Sequence, residues 1–274
     1  MGESRIGVVV VSLVDASASA RVVTALQHEG IEAADILVLG PDAGSVPRRR
    51  SLGSKTLTAP LLLWLEDSVA LRPGWRGAAV SAFAREPRLG GVSGPLTPSN
   101  ALPARDRALL VADYGSFLTP CPLGLRAALP GHALLLRREA LGPLLTEQVP
   151  LREDTVFAQL RAHGRTLRLL PEMEARFEGA GLGQGDPFTL FTQARGWSGR
   201  RRAEEPSRAA LRALMLPGVA ALRGRRAWVD ARRSAALDGG GVTARLWLAG
   251  YTAAWALGES VGALAGPGDD RGWA

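Results

Sequence analysis

The sequence has one cysteine, Cys121, which excludes an intrachain disulfide and a multi-cysteine zinc centre. Without a disulfide framework, the expected setting is a reducing cytoplasm. Cys121 also lies between two prolines, with no acid or base beside it to activate a thiolate. Lysine is equally scarce: Lys55 is the only one, and nearly all the positive charge is arginine. No long hydrophobic run is present. A membrane-spanning helix needs about 20 mostly apolar residues, whereas the stretch between Arg245 and Glu259 holds 13. An acid in mid-helix would add roughly 2.5–3.5 kcal/mol to the cost of insertion. The last helix is therefore expected to pack on the protein or lie at a membrane surface rather than span a bilayer. At the other end, the apolar stretch 6–14 has no small-residue cleavage site in register, and reads as a first strand rather than a signal peptide.

What is present is an ordinary globular mixture, 46% hydrophobic and 22% charged over 274 residues. That length suits one large domain or a domain with an appendage. The net charge of +7 is concentrated in one place. Residues 195–245 carry twelve arginines against Glu204, Glu205, Asp230 and Asp238, a local excess of eight. The rest of the chain is close to neutral. This pattern argues for a local contact with phosphates or anionic lipid. It argues against nucleic-acid binding, because the segment has few interleaved aromatics and no recognisable module.

Along the chain, Ile6–Val14 reads as a buried strand, 18–29 as a helix closed by Gly30, and Ile36–Leu39 as a second strand. This βαβ opening predicts a parallel α/β sheet. Residues 61–67, Leu-Leu-Leu-Trp-Leu-Glu-Asp, are an unbroken apolar run ending in two carboxylates. Such a run is a buried parallel strand, and in open α/β sheets ligands sit beyond the carboxyl ends of the strands. Asp67 or Ser68 could instead be a helix N-cap. Further on, the pattern predicts helices over 76–86, 138–145 and 155–163, and strands over 90–95, 130–136 and 166–170. Residues 96–128 read as irregular, and 178–187 as a Gly-rich loop. From Pro187 the chain turns to Arg-rich amphipathic helices, a break at Asp238–Gly241, and a last apolar helix over 242–265. On that helix Trp247, Tyr251 and Trp255 share a face suited to a core or a lipid interface. Gly258, Gly262 and Gly266 permit close helix packing. His28 and His163 fall near helix ends. His132 sits in an apolar strand end, either buried and satisfied or touching a ligand.

Four ordered features resemble the glycosyltransferase family 2 group of inverting enzymes with a GT-A fold. They are the Asp42-Ala-Gly-Ser45 loop after the second strand, Leu65-Glu66-Asp67-Ser68 followed by Pro73-Gly74-Trp75, Gly131-His-Ala-Leu-Leu-Leu-Arg137-Arg138, and Arg152-Glu153-Asp154 opening a helix that ends at Gly164. The resemblance covers 6–177. It implies a Rossmann-like GT-A domain over 1–186, with a mixed, mostly parallel sheet flanked by helices, and an Arg-rich helical region over 187–274 that could associate with a membrane.

The activity implied is inverting transfer of a sugar from a nucleotide-diphosphate donor to a hydroxyl acceptor, with Mg²⁺ or Mn²⁺ as the implied cofactor. Carboxylates at a strand end would hold the cation that neutralises the leaving group. A further carboxylate would take the acceptor's proton. By resemblance Asp42 and Ser45 would lie at the nucleotide, Glu66 and Asp67 would serve metal and diphosphate, and either Glu153 or Asp154 would be the base. Lys55 and Arg48-Arg49-Arg50 could reach the diphosphate or form a solvated basic loop.

Two departures stand out. Ser68 replaces an acid usual at the family's metal site, and Phe177 stands where a histidine is common. They motivate an alternative reading as a non-catalytic nucleotide-binding or scaffolding relative. A peripheral protein docking on anionic membrane is the other alternative.

Overall fold

A computed structural model describes residues 5–146, 150–179, 186–204 and 209–268. Most of the Gly-rich loop expected over 178–187 lies outside the described residues. The chain forms two compact units, one of residues 1–99 and 119–179, the other of residues 100–118 and 180–273.

The first unit is α/β. Its strands are β1 (Ile6–Val11), β2 (Ile36–Leu39), β3 (Leu61–Glu66), β4 (Val69–Leu71), β5 (Leu89–Ser93), β6 (Leu96–Pro98), β7 (Gly124–Arg126), β8 (Ala133–Arg137), β9 (Thr166–Leu169) and β10 (Ala175–Phe177). Its helices are α1 (Ala16–His28), α2 (Val46–Thr56), α3 (Trp75–Arg85), α5 (Arg138–Thr146) and α6 (Glu153–Ala162); α4 (Ala104–Tyr114) belongs to the second unit.

The main sheet has the order β2-β1-β3-β8-β5-β9-β7. The pairs β1–β2, β1–β3 and β5–β9 are parallel, whereas β8 runs against both β3 and β5, and β7 against β9. A second sheet joins β4, β10 and β6. Every residue of β1 and β3 is buried, as their unbroken Val and Leu runs require of central strands. Asp15 caps α1 by accepting from the Ala18 amide at 2.8 Å. Gly30, at a φ of 77°, ends α1 as expected.

Two segments differ from the sequence reading. The basic stretch Arg48–Arg50 is no loop but the first turns of α2. Ser45 stands at its N-cap and Pro47 in its first turn. Gly53 lets this helix press onto the sheet, because a Cβ there would come within 2.5 Å of Val9 Cγ2. Residues 96–128 are not irregular either. They hold β6, α4 and β7, and α4 forms because Ala108, Leu109, Leu110 and Val111 bury an apolar surface.

The second unit packs α4 with α7 (Pro187–Glu204), α8 (Ala209–Ser234) and α9 (Gly241–Ala265). The expected glycine packing is present at Gly258 and Gly262. A Cβ at either would lie 2.2 Å from a backbone oxygen of α7, that of Phe191 or Arg195. Tyr251 is fully buried, with Trp247 at 5.6 Å between ring centroids. Arg107 is buried and donates to the carbonyl oxygens of Leu102, Ala236 and Asn100. No helix among the described residues is long and apolar enough to cross a membrane.

Two glycines of the first unit should respond oppositely to alanine. A Cβ at Gly94 would lie 1.8 Å from the Met173 carbonyl oxygen, a backbone atom, while Gly77 in α3 has open space. Urea unfolding should show Gly94→Ala destabilised by about 2–3 kcal/mol, and Gly77→Ala stabilised by about 0.5–1 kcal/mol.

Candidate active site

The carboxyl ends of the parallel neighbours β2, β1 and β3 lie side by side, and the chain leaves each through a polar turn. After β2 comes a single 3₁₀ turn, Pro41–Ala43, with Asp42 exposed. Gly44, at a φ of 98°, then reverses the backbone into α2. Ser45 at the N-cap has its hydroxyl buried and without a hydrogen-bond partner. After β1 come Ser12 and Leu13, and β3 ends in Glu66 and is followed by Asp67 and Ser68.

Asp67 is 4% exposed and its carboxylate is fully engaged. Oδ1 accepts from the Leu13 and Val14 amides at 2.7 and 3.0 Å. Oδ2 accepts from the Ser12 and Ser19 hydroxyls at 3.1 and 2.8 Å. Asp67 therefore fixes the β1–α1 turn. Arg49 supports the same corner, donating to the Ser12 carbonyl at 2.7 Å and to that of Leu39 at 3.3 Å.

Arg50 organises the neighbouring corner. Its guanidinium is buried, with Nη2 3.1 Å from Glu66 Oε1 and Nη1 2.7 Å from Glu153 Oε1. Nη2 also donates to the Gly131 carbonyl at 3.0 Å, and the guanidinium lies over Trp64 at 5.3 Å. Gly131 makes room for the Arg50–Glu153 pair, because a Cβ would come within 1.6 Å of Glu153 Oε1 and push that carboxylate off Arg50. Burial pushes the Glu66 carboxyl up to about 7; Arg50 pulls it down, while Glu153 and Asp67 raise it further. His132 is fully buried, and burial together with Arg50 pushes it down to about 3, so it stays neutral. Asp154 stands outside the cluster with its side chain 55% exposed and Arg152 Nε at 3.6 Å.

The fold thus brings Asp42, Ser45, Glu66, Asp67 and the Glu153–Asp154 helix start to one end of the sheet. It does not bring Lys55 there. Lys55 lies in the last turn of α2, ten residues beyond Ser45 and so about 15 Å along the helix.

Glu66 and Asp67 do not fit the divalent cation expected of them. Both oxygens of Asp67 already accept two hydrogen bonds each, and Glu66 is paired with a buried guanidinium. Ser68 is buried with its hydroxyl 3.5 Å from Glu66 Oε2, and Phe177 is buried in β10 beside Val69 of β4. Among the described residues, no group of three His, Cys, Asp or Glu side chains could hold a metal. Ser12 and Ser19, the hydroxyls that fill Asp67, escaped the sequence reading; serine seven residues apart across a strand–helix turn is too common to signal itself.

Replacing Asp67 with alanine strands two amides and two hydroxyls, so Asp67→Ala should lose about 3 kcal/mol in chemical denaturation. Glu66 has a second signature. Its folded pKa is raised, so its contribution to stability is full below the ordinary value of 4.5 and is lost as pH rises through about 7. Glu66→Gln should flatten that segment of the stability–pH curve.

No protein-family model matches the chain, and no curated protein sequence matches it. Among solved structures it is similar to the mannosyltransferase PcManGT from Pyrobaculum calidifontis, solved in complex with GDP-Man and Mn²⁺. The likeness has a TM-score of 0.52 at 13% identity, over 95% of this chain and 87% of that one. The fold is therefore the GT-A-like glycosyltransferase type, a seven-stranded mixed sheet flanked by helices and followed by C-terminal helices.

Proposed function

We propose that the protein is a glycosyltransferase that moves a sugar from a nucleoside-diphosphate donor to a hydroxyl acceptor with inversion. The observation that carries this reading is the convergence of Asp42, Ser45 and the Glu153–Asp154 helix start at the carboxyl end of a GT-A-like sheet. The similar mannosyltransferase, bound to GDP-Man and Mn²⁺, supports the donor class.

The donor's nucleoside meets Asp42. Its diphosphate meets the N-terminus of α2, where the buried, unpaired Ser45 hydroxyl and free backbone amides suit an anion. Because Glu66 and Asp67 are spent on protein donors, donor binding here is independent of a divalent cation. Asp154 is the base. Glu153 is held at 2.7 Å by the buried Arg50 guanidinium, whereas Asp154 is 55% exposed and its contact with Arg152, at 3.6 Å, is longer and open to solvent, so Glu153 is the weaker proton acceptor. In the step, the acceptor oxygen attacks the anomeric carbon opposite the diphosphate, and its proton passes to Asp154. The bond from the anomeric carbon to the phosphate oxygen breaks, and its electron pair leaves with the nucleoside diphosphate.

Thermal unfolding with UDP, GDP, dTDP, ADP and CDP, each with EDTA or Mn²⁺, tests this reading. One nucleotide should stabilise the protein equally in both, by about 2.7 kcal/mol at a hundredfold excess over Kd. With that nucleotide's sugar as donor, Asp154→Asn should lower kcat by about 10²–10⁴-fold and leave nucleotide affinity unchanged. Stabilisation by none of the five would sink the donor site. An active enzyme whose rate ignores Asp154→Asn would remove the assigned base, and nucleotide binding without any transfer would favour the non-catalytic relative.

A further inference from the structure

Seven of the twelve large hydrophobic side chains exposed among the described residues lie on α8 and α9. On α9 they form a line. Val242, Leu246, Leu257 and Leu264 are each at least 60% exposed, and Ala249 and Ala253 are exposed between them. The steps of three, four and seven residues put all six on one face of the helix. That face runs from Val242 to Leu264, 22 steps along the helix or about 33 Å. Among the described residues nothing covers it. α9 is held by its other side, where Gly258 and Gly262 meet the α7 backbone and Leu248 and Tyr251 are buried.

α8, packed along α9, exposes Met215, Leu222 and Val229 among arginines. Arg225, Arg226, Arg232 and Arg233 are exposed on it, and Arg245 is exposed on α9. The two helices carry only two acids. Asp230 pairs with Arg233 at 3.0 Å, and Glu259 is buried with Arg223 at 3.5 Å. The exposed surface of this helix pair is therefore apolar and cationic, with no free carboxylate.

We propose that α9 lies in the interface of an anionic lipid bilayer, its exposed line immersed among the acyl chains and the neighbouring arginines on the headgroup phosphates. The chemistry favours lipid over the other occupants. A second copy would set arginine against arginine, and a nucleic acid would leave the leucine line facing phosphate. Interfacial helices combine an apolar face with arginine or lysine in this way, and two weak attractions together give stable docking. This surface shares no residue with the proposed nucleotide site and does not depend on its assignment.

Co-sedimentation of the full chain with vesicles tests the proposal, using phosphatidylcholine alone or mixed with phosphatidylglycerol. The protein should partition to the mixed vesicles at least about tenfold better than to phosphatidylcholine alone, and added salt should release it. Leu246→Glu/Leu257→Glu should reduce partition at least about tenfold, with unfolding temperature and nucleotide stabilisation unchanged, because both side chains are exposed. Arg225→Gln/Arg226→Gln should weaken binding to mixed vesicles and reduce its salt dependence. Failure of the full chain to partition would overturn the proposal, as would partition of the double-glutamate variant equal to the parent. A dimer in light scattering that Leu246→Glu/Leu257→Glu dissociates would overturn it in favour of self-association.

Discussion

A guanidinium removed from water needs carboxylates and carbonyls around it, and Arg50 has Glu66, Glu153 and the Gly131 carbonyl. These partners come from the end of β3, the start of α6 and the turn before β8. One buried cation therefore ties together three segments far apart in the chain. It accounts for Gly131, since any side chain there would displace Glu153. Arg50 reaches these partners from α2, a helix seated on β1 at Gly53. Removing one member of such a cluster leaves uncompensated charge in a dry site, which is far more damaging than never having had the pair.

The same arrangement bears on chemistry. Carboxylates at strand ends are available to a ligand only if the protein does not satisfy them first. Asp67 is satisfied by two amides and two hydroxyls, and Glu66 by Arg50. What the protein leaves unsatisfied is different: the exposed Asp42, the buried but unpaired Ser45 hydroxyl at a helix start, and the exposed Asp154. The proposed nucleotide site and its separate proton acceptor draw on these residues and not on Glu66 or Asp67. The helical unit uses other means of cohesion. α7 and α9 meet backbone to backbone at glycines, and the buried Arg107 donates to three carbonyl oxygens. Because close packing consumes only one side of α9, its other side is free to be apolar in the open.

Most of the α/β unit was legible in the chain. The first three strands announce themselves as apolar runs, although the first, expected over 6–14, ends at Val11, and Gly30, Gly164 and Pro171 punctuate as turn chemistry requires. Segment 96–128 was not legible as structure, since the helix in it is short and its apolar face is visible only against α9. The arginines 48–50 were legible as charge but not as buried charge. Nothing local distinguishes an arginine that pairs with Glu153, 103 residues away, from one in solvent.

The sequence by itself determined the local facts: which runs are strands, where turns must fall, that the positive charge gathers late in the chain, and that acids follow the third strand. These depend on side-chain periodicity and backbone preference, which act over a few residues. Only the tertiary structure decided what those acids do. Whether Glu66 and Asp67 face a ligand or the protein depends on which donors the fold brings within hydrogen-bonding distance, and Ser12, Ser19 and Arg50 reach them across 55, 48 and 16 residues of chain. Hydrogen bonds and ion pairs have short range in space and none along the sequence, so their outcome is settled by topology.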